Sequence, residues 1–239
     1  MNEVGGLPEG HPLQIVAVGK KHEGKSELCY LLWDSWEGDR AVVDVTKDFI
    51  GLHPEPGTID IYPPAPLKFP EHLREDGGRL SLRYIPDLRD PGWRDDVDRF
   101  LGLCYEHGDM FVVVEEVGNF APVGLPLPNM RVLLHHGRHR GIYSCFNGPR
   151  TIGFDVLVLA QADVVYFFKL PSRRDRQRLA DNIGVPIEVV DQMNNALAPH
   201  EYNRWVDGAG EGELVHFPPL PQPGPVPVAE RHMDEPHGR

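Results

Sequence analysis

The chain alternates short apolar runs with longer segments in which apolar residues recur at a helical period. Short runs bounded by turn-forming residues predict buried strands, at residues 13–18, 40–45, 80–85, 110–114, 141–146 and 162–170. Segments with apolar residues every three or four positions predict helices, at residues 25–36, 93–107, 128–136, 172–183 and 186–198. Strands that alternate with helices indicate an α/β fold with a mainly parallel central sheet flanked by helices.

Local signals sharpen some of these elements. Ser172, followed three residues later by Asp175, resembles a capping box at the start of a helix. Pro128 begins another predicted helix, where its missing N–H costs little. The stretch 53–70 is rich in proline and therefore predicts neither a helix nor a central strand.

The length and the composition bound the domain organisation. A chain of 239 residues fits one sizeable hydrophobic core. We expect one domain at residues 13–213, with a flexible leader at 1–12 and a proline-rich, disordered tail at 214–239. The tail is a candidate docking segment for a capsid or another protein partner.

Charge and cysteine content narrow the function classes. The formal net charge of −12 argues against a surface that binds nucleic acid everywhere, although it allows a local basic strip or a ring of subunits. No apolar run approaches the ~20 residues that cross a bilayer, and the first residues lack the pattern of a signal peptide. We therefore expect a cytoplasmic protein, or one associated with a virion if it is viral, whose three cysteines are reduced.

The strongest motif is GKKHEGKS, which follows the first predicted strand and opens the first predicted helix. It fits the P-loop pattern G-x-x-x-x-G-K-[ST], in which backbone N–H groups of a curled loop and a helix N-terminus face phosphate oxygens. In such a loop Lys25 reaches the β- and γ-phosphates and the Ser26 hydroxyl binds Mg²⁺. The alternative is an ordinary glycine turn. The predicted ATP-binding residues are Gly19, Lys20, Lys21, His22, Glu23, Gly24, Lys25, Ser26 and Glu27.

A second motif supplies carboxylates. The apolar run 110–114 leads directly into Glu115 and Glu116. In this arrangement the first acid can hold Mg²⁺ and the second can orient or deprotonate the attacking water. We predict Glu115 as a metal ligand and Glu116 as the catalytic base. Two solvated acids just past a strand end are the alternative.

These motifs, with GRHRGI at 137–142 and ADVVYFFKL at 162–170, resemble the HerA–FtsK superfamily of P-loop ATPases, and in particular short viral DNA-packaging and DNA-translocating ATPases. The resemblance implies a RecA/FtsK-like P-loop NTPase fold, ATP and Mg²⁺ as cofactors, and assembly into a ring, expected to be a hexamer. It also implies an arginine that acts on the neighbouring subunit's site, for which Arg138 and Arg140 are the candidates, with Arg150 and Arg173 in reserve. The family's glutamine sensor in a TQRP-like string is replaced here by FNGPR at 146–150, in which Asn147 is the polar residue.

Two classes of function follow from the resemblance. In the first, the protein is an ATP-hydrolysing motor that translocates or packages double-stranded DNA without sequence specificity, for example into a viral capsid. In the second, the same ATPase drives protein assembly or secretion, or acts as a nucleotide-gated regulator, without DNA. A small-molecule kinase is a third class, but the sequence has no arginine-rich lid. Stimulation of hydrolysis by DNA separates the first class from the others.

Overall fold

A computed structural model of the chain describes residues 11–47, 57–69, 78–207 and 212–220. Its strands are β1 Gln14–Val18, β2 Asp39–Val43, β3 Ile59–Ile61, β4 Ser81–Tyr84, β5 Met110–Val114, β6 Tyr143–Gly148, β7 Val164–Phe167, β8 Tyr202–Val206 and β9 Glu213–Phe217. Its helices are α1 Lys25–Asp34, α2 Trp93–His107, α3 Pro128–His136, α4 Val156–Ala160, α5 Arg173–Ile183 and α6 Ile187–Ala196. Short 3₁₀ turns at Val117–Asn119, Gly137–Arg140 and Thr151–Gly153 complete the regular structure.

The described strands form one sheet in the order β3-β4-β2-β5-β6-β1-β7-β8-β9. All pairs from β3 to β7 are parallel, and β8 and β9 are antiparallel additions at one side. The seven parallel strands therefore share a carboxyl edge, where they end, and an amino edge, where they begin. In such sheets ligands bind at the carboxyl edge.

The parallel strands are buried on both faces. Every residue of β1 and of β5 is buried, because helices cover both sides and each strand can be continuously apolar. Successive residues point to opposite faces: Val16 packs with α2, α3 and α5, whereas Ile15 packs with α1. Because both faces of these strands are buried, a shift in register would expose apolar side chains, so the strands that end at the candidate site are held in place.

The predicted α/β architecture with a mainly parallel sheet is confirmed, and the predicted bounds of α2, α3 and β5 match. One local prediction is wrong: Ser172 precedes α5 but its side chain makes no capping hydrogen bond. The proline-rich stretch contains β3, which lies at the end of the sheet, where a strand is bonded on one side only.

Regular structure continues past residue 213, the end of the predicted domain. β9 begins at Glu213, the last residue of the predicted domain, and continues into the stretch predicted as a disordered tail, and Leu220 beyond it is buried. Strand β8, which pairs with β9, has no counterpart among the predicted strands. The rest of the predicted tail, 221–239, and the leader residues 1–10 lie outside the described residues.

The three cysteines lie in the core. Cys29, Cys104 and Cys145 are buried free thiols, and the Sγ atoms of Cys29 in α1 and Cys145 in β6 lie 3.4 Å apart. Among the described helices, none combines the length and the apolar character needed to cross a membrane.

Candidate nucleotide site

The predicted P-loop joins the carboxyl end of β1 to the start of α1. Its glycines are required by the backbone: Gly19 has φ 150° and Gly24 has φ 105°. A Cβ atom on Gly19 would lie 2.6 Å from the Cβ of Phe168 and 3.1 Å from its backbone, so no side chain fits there. The loop is therefore folded tightly over the end of β7.

Two hydrogen bonds to the backbone of Lys20 help to fix the loop. The Lys20 N–H donates to the Lys169 carbonyl at 2.9 Å. The Lys20 carbonyl accepts from Lys25 Nζ at 2.8 Å. Lys25 is only 8% exposed, and burial lowers its pKa. The ammonium group of Lys25 therefore lies within the loop, where phosphate oxygens would replace the Lys20 carbonyl as its hydrogen-bond acceptor.

The other residues of the predicted ATP-binding set are more exposed than Gly19 and Lys25. His22 is exposed and adopts a left-handed conformation with φ 64°, while Lys20 and Lys21 are also exposed. The Glu23 carboxylate accepts a hydrogen bond from the His200 N–H at 3.1 Å, which ties the loop to the segment before β8. Glu27 lies in the first turn of α1 and is half-buried.

The two predicted acids lie at the carboxyl end of β5, separated from β1 by strand β6. Glu115 is 1% exposed, and Glu116 has φ 50° and ψ 50°, a conformation that non-glycine residues rarely adopt. Backbone outliers of this kind cluster at functional sites. The conformation turns the chain sharply as soon as both carboxylates have passed the end of the strand.

Asn147, near the end of β6, contacts both acids. Its Oδ1 accepts from the Glu116 N–H at 2.9 Å, and its Nδ2 donates to Glu115 Oε1 at 3.3 Å. Because β6 lies between the P-loop strand and β5, its end is well placed for a side chain to bridge the two motifs. The polar residue predicted as a sensor is therefore part of the acid cluster.

The surroundings of Glu115 fit a divalent cation. Burial and the neighbouring Asp44 carboxylate raise the pKa of Glu115 to about 7, although hydrogen bonds from the Ser26 and Thr46 hydroxyls oppose this shift. The described residues include no salt bridge to Glu115; its carboxylate accepts hydrogen bonds from Thr46 Oγ1 at 3.1 Å and Asn147 Nδ2 at 3.3 Å, and the nearby Lys25 interacts with its charge. No group of three or more potential metal-binding side chains is found in the described ranges. A Mg²⁺ ion bound through phosphates and waters needs only one or two protein ligands, which Ser26 and Glu115 supply.

Asp44 is a site residue that the sequence analysis missed. It follows β2, is fully buried, and bonds Arg83 Nε at 2.8 Å and the Lys47 N–H at 2.7 Å. A signal for it exists in the sequence, because an acid that closes an apolar strand is the same pattern that identifies Glu115. The predicted strand 40–45 includes Asp44, and this hides its position at a strand end.

The two predicted arginines lie away from the P-loop of their own chain. Both belong to the turn before β6, at the amino edge of the sheet. Arg138 Nη1 pairs with Asp163 Oδ1 at 2.6 Å, and Arg140 Nη2 donates to the Glu106 carbonyl at 2.6 Å. Their predicted action on a neighbouring subunit stays a prediction.

A cleft of about 520 Å³ opens beside the P-loop on the same edge as the acids. We call it the basic cleft; it is lined by Lys20, Lys21, Pro149, Arg150, Pro171, Ser172 and Asp175. It joins three carboxyl-edge segments: the P-loop, the end of β6 and the start of α5. The sequence analysis did not find it, because these segments are distant along the chain.

Comparisons with known proteins bear on the fold of the chain. No protein-family model matches the chain, and no curated protein sequence does. The chain is similar to the genome packaging NTPase B204 from Sulfolobus turreted icosahedral virus 2 in complex with AMPPCP, with a TM-score of 0.66, 14% identity, and coverage of 88% of this chain and 99% of that chain. It is also similar to the monomer form of the pCW3 conjugation coupling protein TcpA with ATPγS, with a TM-score of 0.54, 11% identity, and coverage of 87% of this chain and 60% of that chain. The resemblance to HerA–FtsK-type P-loop ATPases is thereby confirmed as one of fold.

Proposed function

We propose that the protein is a Mg²⁺-dependent ATPase that translocates or packages double-stranded DNA. The observation that carries the proposal is the meeting of four groups at one edge of the sheet: the P-loop, Glu115, Glu116 and Asn147. Each group matches one requirement of phosphoryl transfer to water, namely a phosphate cradle, a metal ligand, a base and a polar sensor.

Each step follows from the chain's own residues. The P-loop N–H groups and Lys25 hold the β- and γ-phosphates, and Ser26 and Glu115 would hold Mg²⁺. The bound ion would neutralise charge on the phosphates. Glu116 orients a water in line with the γ-phosphorus and accepts its proton as the bond to the leaving oxygen breaks. Asn147 holds the Glu116 backbone and Glu115 in place.

Two observations support DNA as the substrate that is moved. One is the described roles of two structural neighbours, and the other is local positive charge at the start of α5. A genome packaging NTPase and a conjugation coupling protein share the fold. Exposed arginines occur at the start of α5, at Arg173 and Arg174, although the chain as a whole is acidic. Such residues grip phosphates without reading sequence. Subunits in a ring, proposed to be a hexamer, would surround the duplex, with a capsid as a candidate docking partner. We place this activity in a host cytoplasm or a virion.

The test is the steady-state ATPase rate at low salt, with and without long double-stranded DNA. We expect strong stimulation by DNA that is lost in Lys25→Ala, because this substitution removes the cation at the phosphates. A protein without ATPase activity in Mg²⁺ would contradict the whole proposal. Hydrolysis that is indifferent to DNA would contradict the motor and favour an assembly or secretion ATPase.

A further inference from the structure

We propose that Arg150 of the same chain supplies the arginine that neutralises charge on the γ-phosphate. The inference rests on the proposed ATPase function and assigns a residue of that site. Arg150 follows β6 by two positions and lies three residues after Asn147. It is therefore on the carboxyl edge, where Arg138 and Arg140 are not.

The first support is the way in which Arg150 is held. Its Nε atom donates to Asp175 Oδ2 at 3.1 Å. Asp175 is 2% exposed in its side chain and also accepts from Thr151 Oγ1 and the Ile152 N–H, each at 3.1 Å. A buried, multiply bonded carboxylate fixes the plane of the guanidinium and leaves its outer end available.

The second support is that, among the described residues, the two Nη atoms of Arg150 make no hydrogen bond that phosphate binding would have to break. The side chain is 53% exposed, and within the described residues neither Nη atom has a hydrogen-bond partner. By contrast, Arg138 uses Nη1 on Asp163 and Nη2 on Gln161, at 2.6 Å and 3.3 Å. An arginine that binds a transient anion needs free Nη donors for a bidentate contact, and Arg150 has them.

The third support is the charge of the basic cleft. Its cations are Lys20, Lys21 and Arg150, and its one acid, Asp175, is already paired with Arg150. This excess of positive charge lies directly beside the phosphate loop, in a chain whose net charge is −12. Fixed cations where negative charge develops are what stabilise the transition state of phosphoryl transfer.

The first experiment compares turnover of Arg150→Ala, Arg150→Lys and wild type at saturating ATP. We expect kcat to fall by about 10²–10³-fold in Arg150→Ala, and by less in Arg150→Lys, which keeps the charge. The matched control is Arg89→Ala, which removes an exposed arginine that pairs with Asp87 on the loop after β4 and does not line the basic cleft, and it should stay within about two-fold of wild type. Normal turnover of Arg150→Ala would overturn the inference.

A structural role is separated by nucleotide affinity. If Arg150 contacts the γ-phosphate, Arg150→Ala weakens binding of a non-hydrolysable ATP analogue and leaves ADP binding unchanged. If Arg150 only anchors Asp175, both affinities and the melting temperature fall together, and Asp175→Asn shows the same pattern. That second result would contradict the inference even if turnover is lost.

Mixing distinguishes action on the same chain from action on a neighbour. Arg150→Ala subunits keep an intact P-loop, and Lys25→Ala subunits keep Arg150. In a mixture of the two, an arginine acting between subunits restores hydrolysis, whereas an arginine acting within its own chain does not. Subunit exchange is verified by energy transfer between labelled wild-type preparations. A wild-type protein that is a monomer and hydrolyses ATP at its full rate also supports action within the chain. Restored hydrolysis would overturn the inference, while a wild type that never hydrolyses ATP would overturn the proposed function instead.

Discussion

Two acids at opposite edges of the sheet, Asp163 at the amino edge and Glu115 at the carboxyl edge, differ in how they are paired. At the amino edge, Arg138 pairs with Asp163, and His107 lies 2.7 Å from Asp39, whose other oxygen accepts the Leu80 N–H. Polar partners there satisfy one another within the chain and join the starts of neighbouring strands. At the carboxyl edge, Glu115 is buried beside Asp44 without a salt bridge among the described residues.

Left-handed backbone occurs at both edges, since Asp109, just before β5 at the amino edge, has φ 42°. The carboxyl edge contains Gly19 and Gly24 in the P-loop and Glu116 in a left-handed conformation. A strained residue and a buried acid without a salt bridge both cost stability, and such costs are retained where function needs them. Among the described residues, Glu115 of the predicted motif therefore differs from Asp163 in having hydrogen bonds but no salt bridge.

The largest effect should come from the strained acid of the carboxyl edge. Glu116→Gln keeps the shape but removes the carboxylate that accepts the proton, so kcat should fall by about 10²–10⁴-fold. ATP should remain bound, because the P-loop and Lys25 are untouched. The measurement is single-turnover hydrolysis together with retention of labelled ATP on the protein.

Glu106→Gln is the matched control, because this exposed acid at the end of α2 lies at the amino edge. It should change turnover by no more than about two-fold. If Glu116→Gln hydrolyses ATP at the normal rate, the assignment of the base is wrong and the contrast between the edges loses its functional meaning.

A second, smaller effect should come from the tight turn of the P-loop. In Gly19→Ala the new Cβ would meet Phe168 at 2.6 Å while the backbone keeps φ 150°. We expect a loss of about 1–3 kcal/mol from the free energy of unfolding and greatly weakened nucleotide binding. Thermal unfolding with and without an ATP analogue measures both.

Gly184→Ala provides the comparison for this substitution. Gly184 ends α5 with φ 69°, and no atom lies within 4 Å of the position that a new Cβ would take. The substitution should cost only the conformational penalty of about 1–2 kcal/mol and leave nucleotide binding unchanged. Equal nucleotide binding by Gly19→Ala and wild type would show that the loop does not need its observed shape.

Much of the carboxyl edge could be predicted from the sequence, because its motifs are local. The spacing from Gly19 to Ser26 and the adjacency of Glu115 and Glu116 lie within single strand-to-loop junctions. Such junctions carry their own signals, since an apolar run that ends in glycine or in an acid marks the end of a strand. The same locality explains why the bounds of α2 and β5 could be predicted.

What could not be predicted depends on contacts between distant segments. Asp44 meets Glu115 only because β2 pairs with β5, and Arg150 meets Asp175 only because the end of β6 faces the start of α5. The basic turn at 137–140 has a strong local charge pattern, but which edge it occupies depends on the direction of β6. Strand β9 was missed because its exposed residues and the prolines after it resemble a tail.

The smallest effect should come from the ion pair of the amino edge. Asp163→Asn removes the charge opposite Arg138 but keeps an oxygen for the Gln14 N–H, which in the wild type donates to Asp163 Oδ2 at 2.7 Å. Because the pair is partly exposed, we expect a loss of about 1 kcal/mol or less in the free energy of unfolding. In a chain of this size that corresponds to about 2–4 °C in melting temperature.

Turnover of Asp163→Asn decides whether the amino edge is purely structural. If Arg138 only joins strand starts, the rate per folded molecule equals that of wild type. If Arg138 acts on a neighbouring subunit, freeing it from Asp163 changes the ring's ATPase rate, and Arg138→Ala reduces that rate in the same assay. A changed rate in both variants would bring Arg138 into the catalytic machinery, and it would mean that partners satisfied within one chain can still be exchanged for partners across a subunit boundary.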